Sequence, residues 1–138
     1  MIMKAKFNLT ILSICLTITN ALAMPSDVNA TNIDNNGSKQ YKQIATGKCS
    51  WYGSKFNGSR TASGERFDST QKTAAHKTLP FGTLLRVTEL KTDKSVIVKV
   101  TDRGPFVKHR VLDISHAAAK EIGVVSKGVF YAKIELVQ

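Results

Sequence analysis

The segment Ser95-Val96-Ile97-Val98-Lys99-Val100 constrains this chain more than any other. Four of its six residues are β-branched, and their stiff side chains fit a pleated strand better than a helix. Asp102 and Gly104 bound the run. Thr83 to Leu90 reads as a second strand, with Leu84, Val87 and Leu90 as apolar anchors, and the polar turn Lys91-Thr92-Asp93-Lys94 joins the two as a hairpin. Cys49 to Gly53 is a short aromatic strand. From Tyr131 to Val137 the pattern alternates: Ala132, Ile134 and Leu136 point one way, Tyr131, Lys133 and Glu135 the other, as in a half-buried strand. One helix is expected over His116 to Ile122, with Ser115 as its N-cap, three consecutive alanines, and Gly123 to end it. Several short strands and one helix suggest a small barrel. Periodicity alone gives no strand order.

Not all 138 residues are expected to join that fold. Lys4 and Lys6 precede a mostly apolar run from Phe7 to Thr19, and Ala21-Leu22-Ala23 supplies the small residues of a cleavage site. This is the order of a secretory signal peptide, spanning residues 1–23. The run is shorter than the roughly 20 residues a membrane-spanning helix needs. Residues 24–46 are rich in Asn, Ser, Asp, Thr and Gly and poor in large apolar groups, so they read as a flexible linker. The folded domain is expected over residues 47–138, enough for one modest core.

Cleavage would remove Lys4 and Lys6 and no acid, taking the formal charge from +10 to +8. Such a basic domain points to an anionic partner, and outside the membrane that means cell-wall polymers or phospholipid surfaces rather than nucleic acid. The plainer reading is a set of lysines that solvates the surface, since no run of five like charges occurs. Cys15 falls in the signal segment and Cys49 is left alone, so the mature chain has no intrachain disulfide. Cys49 reads as a small buried residue; the alternatives are a catalytic thiolate and intermolecular pairing.

Asp102 sits where the β-branched run ends and Arg103-Gly104-Pro105 turns, which fixes a carboxylate at a barrel rim and makes it a candidate acid or base. Its structural alternative is a turn residue that caps its own backbone. Glu65, in Thr61-Ala62-Ser63-Gly64-Glu65-Arg66-Phe67, lies on a surface loop. Asp113, within Val111-Leu112-Asp113-Ile114, is a carboxylate in apolar company. It needs a partner, and Arg103 or Arg110 could supply one; it reads as structural. His76, beside Ala74 and Ala75, is either a packing residue or part of a site. His109 and His116 look like surface residues. The histidine spacing and the single cysteine of the mature chain argue against zinc, and no nucleophile elbow, phosphate loop or dinucleotide fingerprint is present. Trp51, Tyr52 and Phe56, in a Gly/Ser-rich stretch, could stack on sugar rings or pack into the core.

Taken in order, Ser50-Trp51-Tyr52-Gly53, Thr61 to Phe67, Thr73-Ala74-Ala75-His76-Lys77-Thr78-Leu79-Pro80-Phe81-Gly82-Thr83, Asp102-Arg103-Gly104-Pro105-Phe106 and Val111-Leu112-Asp113-Ile114-Ser115 resemble the successive motifs of the RlpA-like proteins. The resemblance covers Gly47 to Val137. It implies a mainly β fold: a six-stranded double-psi β-barrel with one or two short helices, shared with expansins and one class of membrane-bound lytic transglycosylase. It also implies endolytic cleavage of peptidoglycan between N-acetylmuramic acid and N-acetylglucosamine, with a preference for strands that lack stem peptides.

On this resemblance the catalytic residues are Asp102, Glu65 and His76, and Trp51, Tyr52, Arg103 and Phe106 are candidates to bind the glycan. Asp102 would be the acid/base. Glu65 would position the sugar or act on Asp102 by like-charge repulsion, His76 would orient a carboxyl, and Arg103 would anchor its loop or the glycan. No cofactor or metal is expected. The expected partners are peptidoglycan glycan strands, with cell-division proteins as further candidates, for a monomer that is periplasmic or secreted.

Two departures from the family pattern stand out. Ile14 occupies the position before Cys15 where a lipoprotein signal carries a small residue, so lipid anchoring at Cys15 is not the expected outcome. The sequence ends at Gln138, where many family members continue into a peptidoglycan-binding repeat, which leaves septal targeting an open question. The competing reading is a non-catalytic, expansin-like module that binds glycan or loosens the wall through the same groove.

Overall fold

The computed structural model describes residues 39–138; the expected signal segment, Cys15 and most of the expected linker lie outside them. Six strands form a closed barrel: β1 (Tyr41–Tyr52), β2 (Thr73–Ala75), β3 (Leu84–Glu89), β4 (Ser95–Asp102), β5 (Arg110–Ser115) and β6 (Val129–Val137). Around the barrel the order is β1-β5-β2-β4-β3-β6. Two neighbouring pairs are parallel, β1 with β5 and β2 with β4. The other pairs run antiparallel. A parallel pair cannot be joined by a tight turn, so the chain crosses between distant strands, as expected of a double-psi barrel.

The barrel starts earlier than the composition suggested. β1 begins at Tyr41, not Gly47, and Tyr41 pairs with Val137 at the far end of β6. Residues 41–46 are polar because most of their side chains face solvent, while their backbone groups are held by β6. A bulge between Gln43 and Ala45 absorbs the register change.

The hairpin and its partner strand form as expected, with different inward residues. Leu85 and Val87 are buried, whereas Leu84 and Leu90, expected as anchors, are exposed. A strand alternates with period two, so Leu84, Val87 and Leu90 cannot share a face. In β6, Ala132 and Ile134 are buried as expected, but Glu135 is buried too. Its side chain lies on the outer face with Arg86, its register partner, and is covered there: the carboxylate meets Arg86 Nε at 2.7 Å and Lys133 Nζ at 3.2 Å, and these two cations make its burial tolerable. The strands β2 and β5 carried no clear period: β2 is three residues long, and β5 places Asp113 among apolar neighbours.

Leu85, Val98, Val100, Leu112, Ile114 and Ile134 fill the interior, and Ala118 and Ala119 of the helix α1 (His116–Glu121), with Ile122 at its C-cap, join the core cluster. Ser115 caps α1. Its hydroxyl accepts from Ala118 N at 3.4 Å and from Thr73 N at 3.2 Å, so one fully buried side chain starts the helix and holds β2. Ser115→Ala is therefore expected to destabilise the barrel by about 1–2 kcal/mol, measured as a lower denaturation midpoint at unchanged slope. Gly123, at φ 73°, ends the helix in the left-handed region that favours glycine.

Candidate active site

Asp102 is the last residue of β4. Its Oδ1 accepts two backbone hydrogen bonds, from Ala62 N at 2.9 Å and Arg103 N at 2.8 Å. The bond to Arg103 N is the turn-capping contact foreseen for such a residue; the bond to Ala62 N clamps a second loop against the strand end. One residue earlier, Thr101 O accepts from Ser63 N at 3.1 Å, and Asp102 O accepts from His76 N at 3.1 Å. Backbone and side chain of the strand end thus position both flanking loops.

Arg103 holds its own loop in place. Its Nη1 donates to Leu79 O at 2.9 Å and to His76 O at 3.3 Å, and its guanidinium lies 3.8 Å from the Phe81 ring centre. Gly104 then takes φ 127°, which side-chain-bearing residues rarely adopt, and the chain turns so that Phe106 is left 89 % exposed.

Asp102, Trp51, Tyr52, Arg103 and Phe106 line one groove of about 620 Å³. Trp51 both packs and lines: it rests on the core, donates from Nε1 to Val125 O at 3.2 Å, and meets the His116 ring at 5.2 Å. Tyr52 tilts against Phe67, with its hydroxyl 3.3 Å from Thr73 Oγ1. Burial, and then the negative charges of Asp102 and Asp113, push its phenol up to about 12 despite the Thr73 hydrogen bond. Phe56 and Phe106 are exposed aromatic lips of the groove.

Glu65 and His76 do not line this groove. Glu65 borders a neighbouring cleft of about 560 Å³, where Lys99 Nζ reaches both of its oxygens at 3.1 Å; its side chain is 53 % exposed. Thr61 is common to the two cavities, so the turn carrying Glu65 acts as the wall between them. His76 organises the loop behind Arg103, its Nδ1 accepting from Thr78 N at 3.2 Å and Leu79 N at 3.0 Å.

Burial, followed by the charges of Arg103 and Lys77, lowers the His76 pKa from its ordinary 6.5. The native state then binds this proton less readily than the unfolded chain. The associated stability is present above pH 6.5 and is lost as the pH falls through the lower native value. An NMR titration should place the His76 midpoint below 6.5, with stability declining on acidification across that window. A midpoint at or above 6.5 would contradict the double acceptor role of Nδ1.

Asp113 also lines the groove, although its sequence neighbours suggested only a structural role. Arg110, one of its two foreseen partners, supplies the ion pair at 3.1 Å. The signal for its wider place is the strand register, which a linear pattern does not carry. Lys55 and Arg60 add cations to the lining. Cys49 is fully buried beneath the site, and burial, then the Asp113 charge, push its thiol up to about 12, so it supplies no thiolate at neutral pH. Among the described residues no group of three or more His, Cys, Asp or Glu side chains could hold a metal.

A closed barrel with crossed parallel pairs and an open, carboxylate-floored groove at one strand end defines a double-psi β-barrel protein. The family model for lytic transglycolases matches residues 44–134, and the chain belongs to that family, as its ordered motifs had indicated. It is 44 % identical over 118 residues to the Synechocystis sp. protein named "Probable endolytic peptidoglycan transglycosylase RlpA", covering 85 % of this chain and 37 % of that protein. It is 53 % identical over 90 residues to the endolytic peptidoglycan transglycosylase RlpA of Neisseria meningitidis, covering 65 % and 38 %, respectively. The relative of the same name in Pseudomonas aeruginosa is 50 % identical over 100 residues, covering 72 % and 29 %. The chain thus spans well under half the length of these curated relatives. Among solved structures, the Streptomyces papain inhibitor shares the fold at TM-score 0.56 and 22 % identity, covering 70 % of this chain and 96 % of that one. A Clavibacter michiganensis expansin does so at TM-score 0.54 and 21 % identity, covering 67 % and 50 %.

Proposed function

We propose that the protein is an exported endolytic peptidoglycan lytic transglycosylase, acting as a monomer in the periplasm or outside the cell. It cleaves the bond between N-acetylmuramic acid and N-acetylglucosamine and leaves a 1,6-anhydro end. The observation that carries this reading is the Asp102 carboxylate, fixed at the groove floor through Oδ1 alone. Two backbone donors face Oδ1, so the proton of the acid form resides on Oδ2, which has no hydrogen-bond partner among the described residues and is free to serve substrate.

In the reaction, Oδ2–H protonates the glycosidic oxygen and the bond from that oxygen to C1 of the muramic acid breaks, its electron pair leaving with the oxygen. The C6 hydroxyl of the same sugar attacks C1, and its proton returns to Asp102. No water is consumed, unlike in hydrolysis by two carboxylates with a bound water. Trp51, Tyr52 and the exposed Phe56 and Phe106 offer ring faces to the sugars. Arg103 anchors its loop, Nη1 donating to two carbonyls and the guanidinium lying over Phe81, and it also lines the groove where glycan would bind. Glu65 and His76 act through the two loops that Asp102 joins.

Substrate preference follows from charge. Removing a stem peptide leaves a free lactyl carboxylate on each muramic acid, and Lys55 and Arg60 on the groove are cations to meet it. Incubation with peptide-free strands is expected to release soluble fragments faster than incubation with peptide-bearing strands. Binding to strands without any release would instead support the wall-loosening module.

A further inference from the structure

The cleft beside the groove lies on the outer face of the barrel. Val96, Val98 and Val100 of β4 point into the core, so Lys99 and Thr101 project outward, and Thr73 of β2 stands in register with Lys99. Two loops wall this face: Ser63 N donates to Thr101 O at 3.1 Å, and Lys99 N donates to Lys72 O at 3.0 Å. The space they enclose, about 560 Å³, is that of an ordinary ligand pocket. Thr61 and Phe67 border both this cleft and the groove, and the Tyr52 hydroxyl of the groove lies 3.3 Å from Thr73 Oγ1 in the cleft.

The lining selects against an ion. Its cations Arg66, Lys72 and Lys99 are balanced by Glu65 and Asp68 together with Glu121, which pairs with Lys72. What remains is neutral and polar, with Phe67 as an apolar wall. Four threonines bring hydroxyls to it. Three of these are engaged: Thr61 Oγ1 with Ser63 Oγ and Glu65 O, Thr70 Oγ1 with Asp68, and Thr73 Oγ1 with Tyr52. Thr101 differs. It is 2 % exposed and lines the cleft, yet its hydroxyl has no hydrogen-bond partner among the described residues. A buried hydroxyl left in that state costs stability, and a ligand hydroxyl or amide in the cleft would satisfy it.

The geometry points to a second glycan subsite: the cleft takes an uncharged N-acetylglucosamine unit of the strand that is cut in the groove, and the Thr101 hydroxyl bonds to that sugar. The ring carries hydroxyl and acetamido groups for Thr101 and a C–H face for Phe67, and it lacks the lactyl carboxylate for which the cleft has no spare cation. The inference rests on the glycan reading of the groove and carries the strand past the wall at Thr61. A hold on the strand away from the broken bond supplies binding energy that positions the reacting sugar.

The test is titration of wild type, Thr101→Val and Thr101→Ser with the linear hexamer of N-acetylglucosamine. Valine keeps the branched shape and the backbone bond to Ser63 and removes only the hydroxyl; serine restores it. Thr101→Val is expected to bind the hexamer about 5-fold more weakly, with a denaturation midpoint equal to or above that of wild type, because an unpaired buried polar group is gone. Thr101→Ser should bind as wild type does. A Thr101→Val variant that binds as wild type, a Thr101→Ser variant as weak as Thr101→Val, or a loss of affinity that only follows a loss of stability overturns the proposal. In wild type, the NMR amide signals of Gln71, Lys99 and Thr101 should move with the Trp51 Nε1 signal of the groove. If only the Trp51 signal moves, the subsite fails and the groove reading stands. If both sets move but peptide-free strands yield no anhydro ends, the transglycosylase reading fails and the subsite stands.

Discussion

Asp102→Asn is expected to lower the release of anhydro-ended fragments by about 10²–10⁴-fold, the usual contribution of a positioned general acid and base. The amide oxygen can still accept from Ala62 N and Arg103 N, the two bonds that join the flanking loops to the strand end. The thermal midpoint should therefore stay near that of wild type, and glycan strands should still bind. What is lost is the transferable proton on the second oxygen. Asp102→Ala should behave differently, leaving both N–H groups without their acceptor and lowering stability as well as turnover. Activity and melting measured on both variants separate the chemical role of the carboxylate from its role as a loop clamp. Retention of full turnover by Asp102→Asn would remove Asp102 from the chemistry.

The second large effect lies away from the groove. Glu89 is 1 % exposed, yet it is a carboxylate at the inner end of β3. It accepts from Thr92 N at 2.7 Å, Thr92 Oγ1 at 2.8 Å and Lys91 N at 3.1 Å, and pairs with Lys127 Nζ at 3.1 Å. One buried side chain thus closes the β3–β4 hairpin and ties it to the single helical turn Val125–Lys127 that precedes β6. Glu89→Ala strands two backbone donors and a hydroxyl, and is expected to cost about 2–4 kcal/mol. For a domain of this size that lowers the melting temperature by on the order of 15 °C.

Burial alone would raise the carboxyl pKa, but the Thr92 and Lys127 contacts outweigh it and hold the group below the ordinary glutamate value of 4.5. The native state therefore binds the proton less readily than the unfolded chain. The stability that Glu89 contributes is present above pH 4.5 and disappears as the pH falls through the native value. Acid titration of wild type and Glu89→Ala should show the two stability curves converging below that point. A difference that persists unchanged into acid would mean that the ionised carboxylate is not what holds the turn.

Glu89 also shows where linear reading stops. The hairpin was legible because its β-branched run and polar turn are local properties, and so were the Ser115 cap and the alternation around Ala132 and Ile134. The burial of Glu89 and Glu135 was invisible because a cation from a distant segment helps compensate each: Lys127 for one, Arg86 for the other. The strands β2 and β5 were hidden for a related reason. Thr73–Ala75 is too short to show a period, and Asp113, which takes a long-range hydrogen bond from Ser50, breaks the apolar run.

The site divides in the same way. Asp102 was readable because a strand end and a tight turn announce it in sequence. Its partner loop at Ala62 and the placement of Glu65 beside Lys99 depend on how the barrel closes. Trp51 did not have to choose between packing and lining, because its long ring system reaches the core with one part and borders the groove with another. Asp113 emerges only once β2 is placed between β4 and β5, with the methyl of Ala75 separating the two carboxylates.

The most direct test of the central claim is mass spectrometry of the sugar ends formed when the protein acts on peptide-free glycan strands, with borohydride added afterwards. The account predicts soluble fragments whose muramic acid ends are lighter by one water and resist reduction, since the C6 hydroxyl has closed on C1. Fragments with reducible ends would show hydrolysis, and strands recovered bound but uncut would show a binding module; either result would contradict the account.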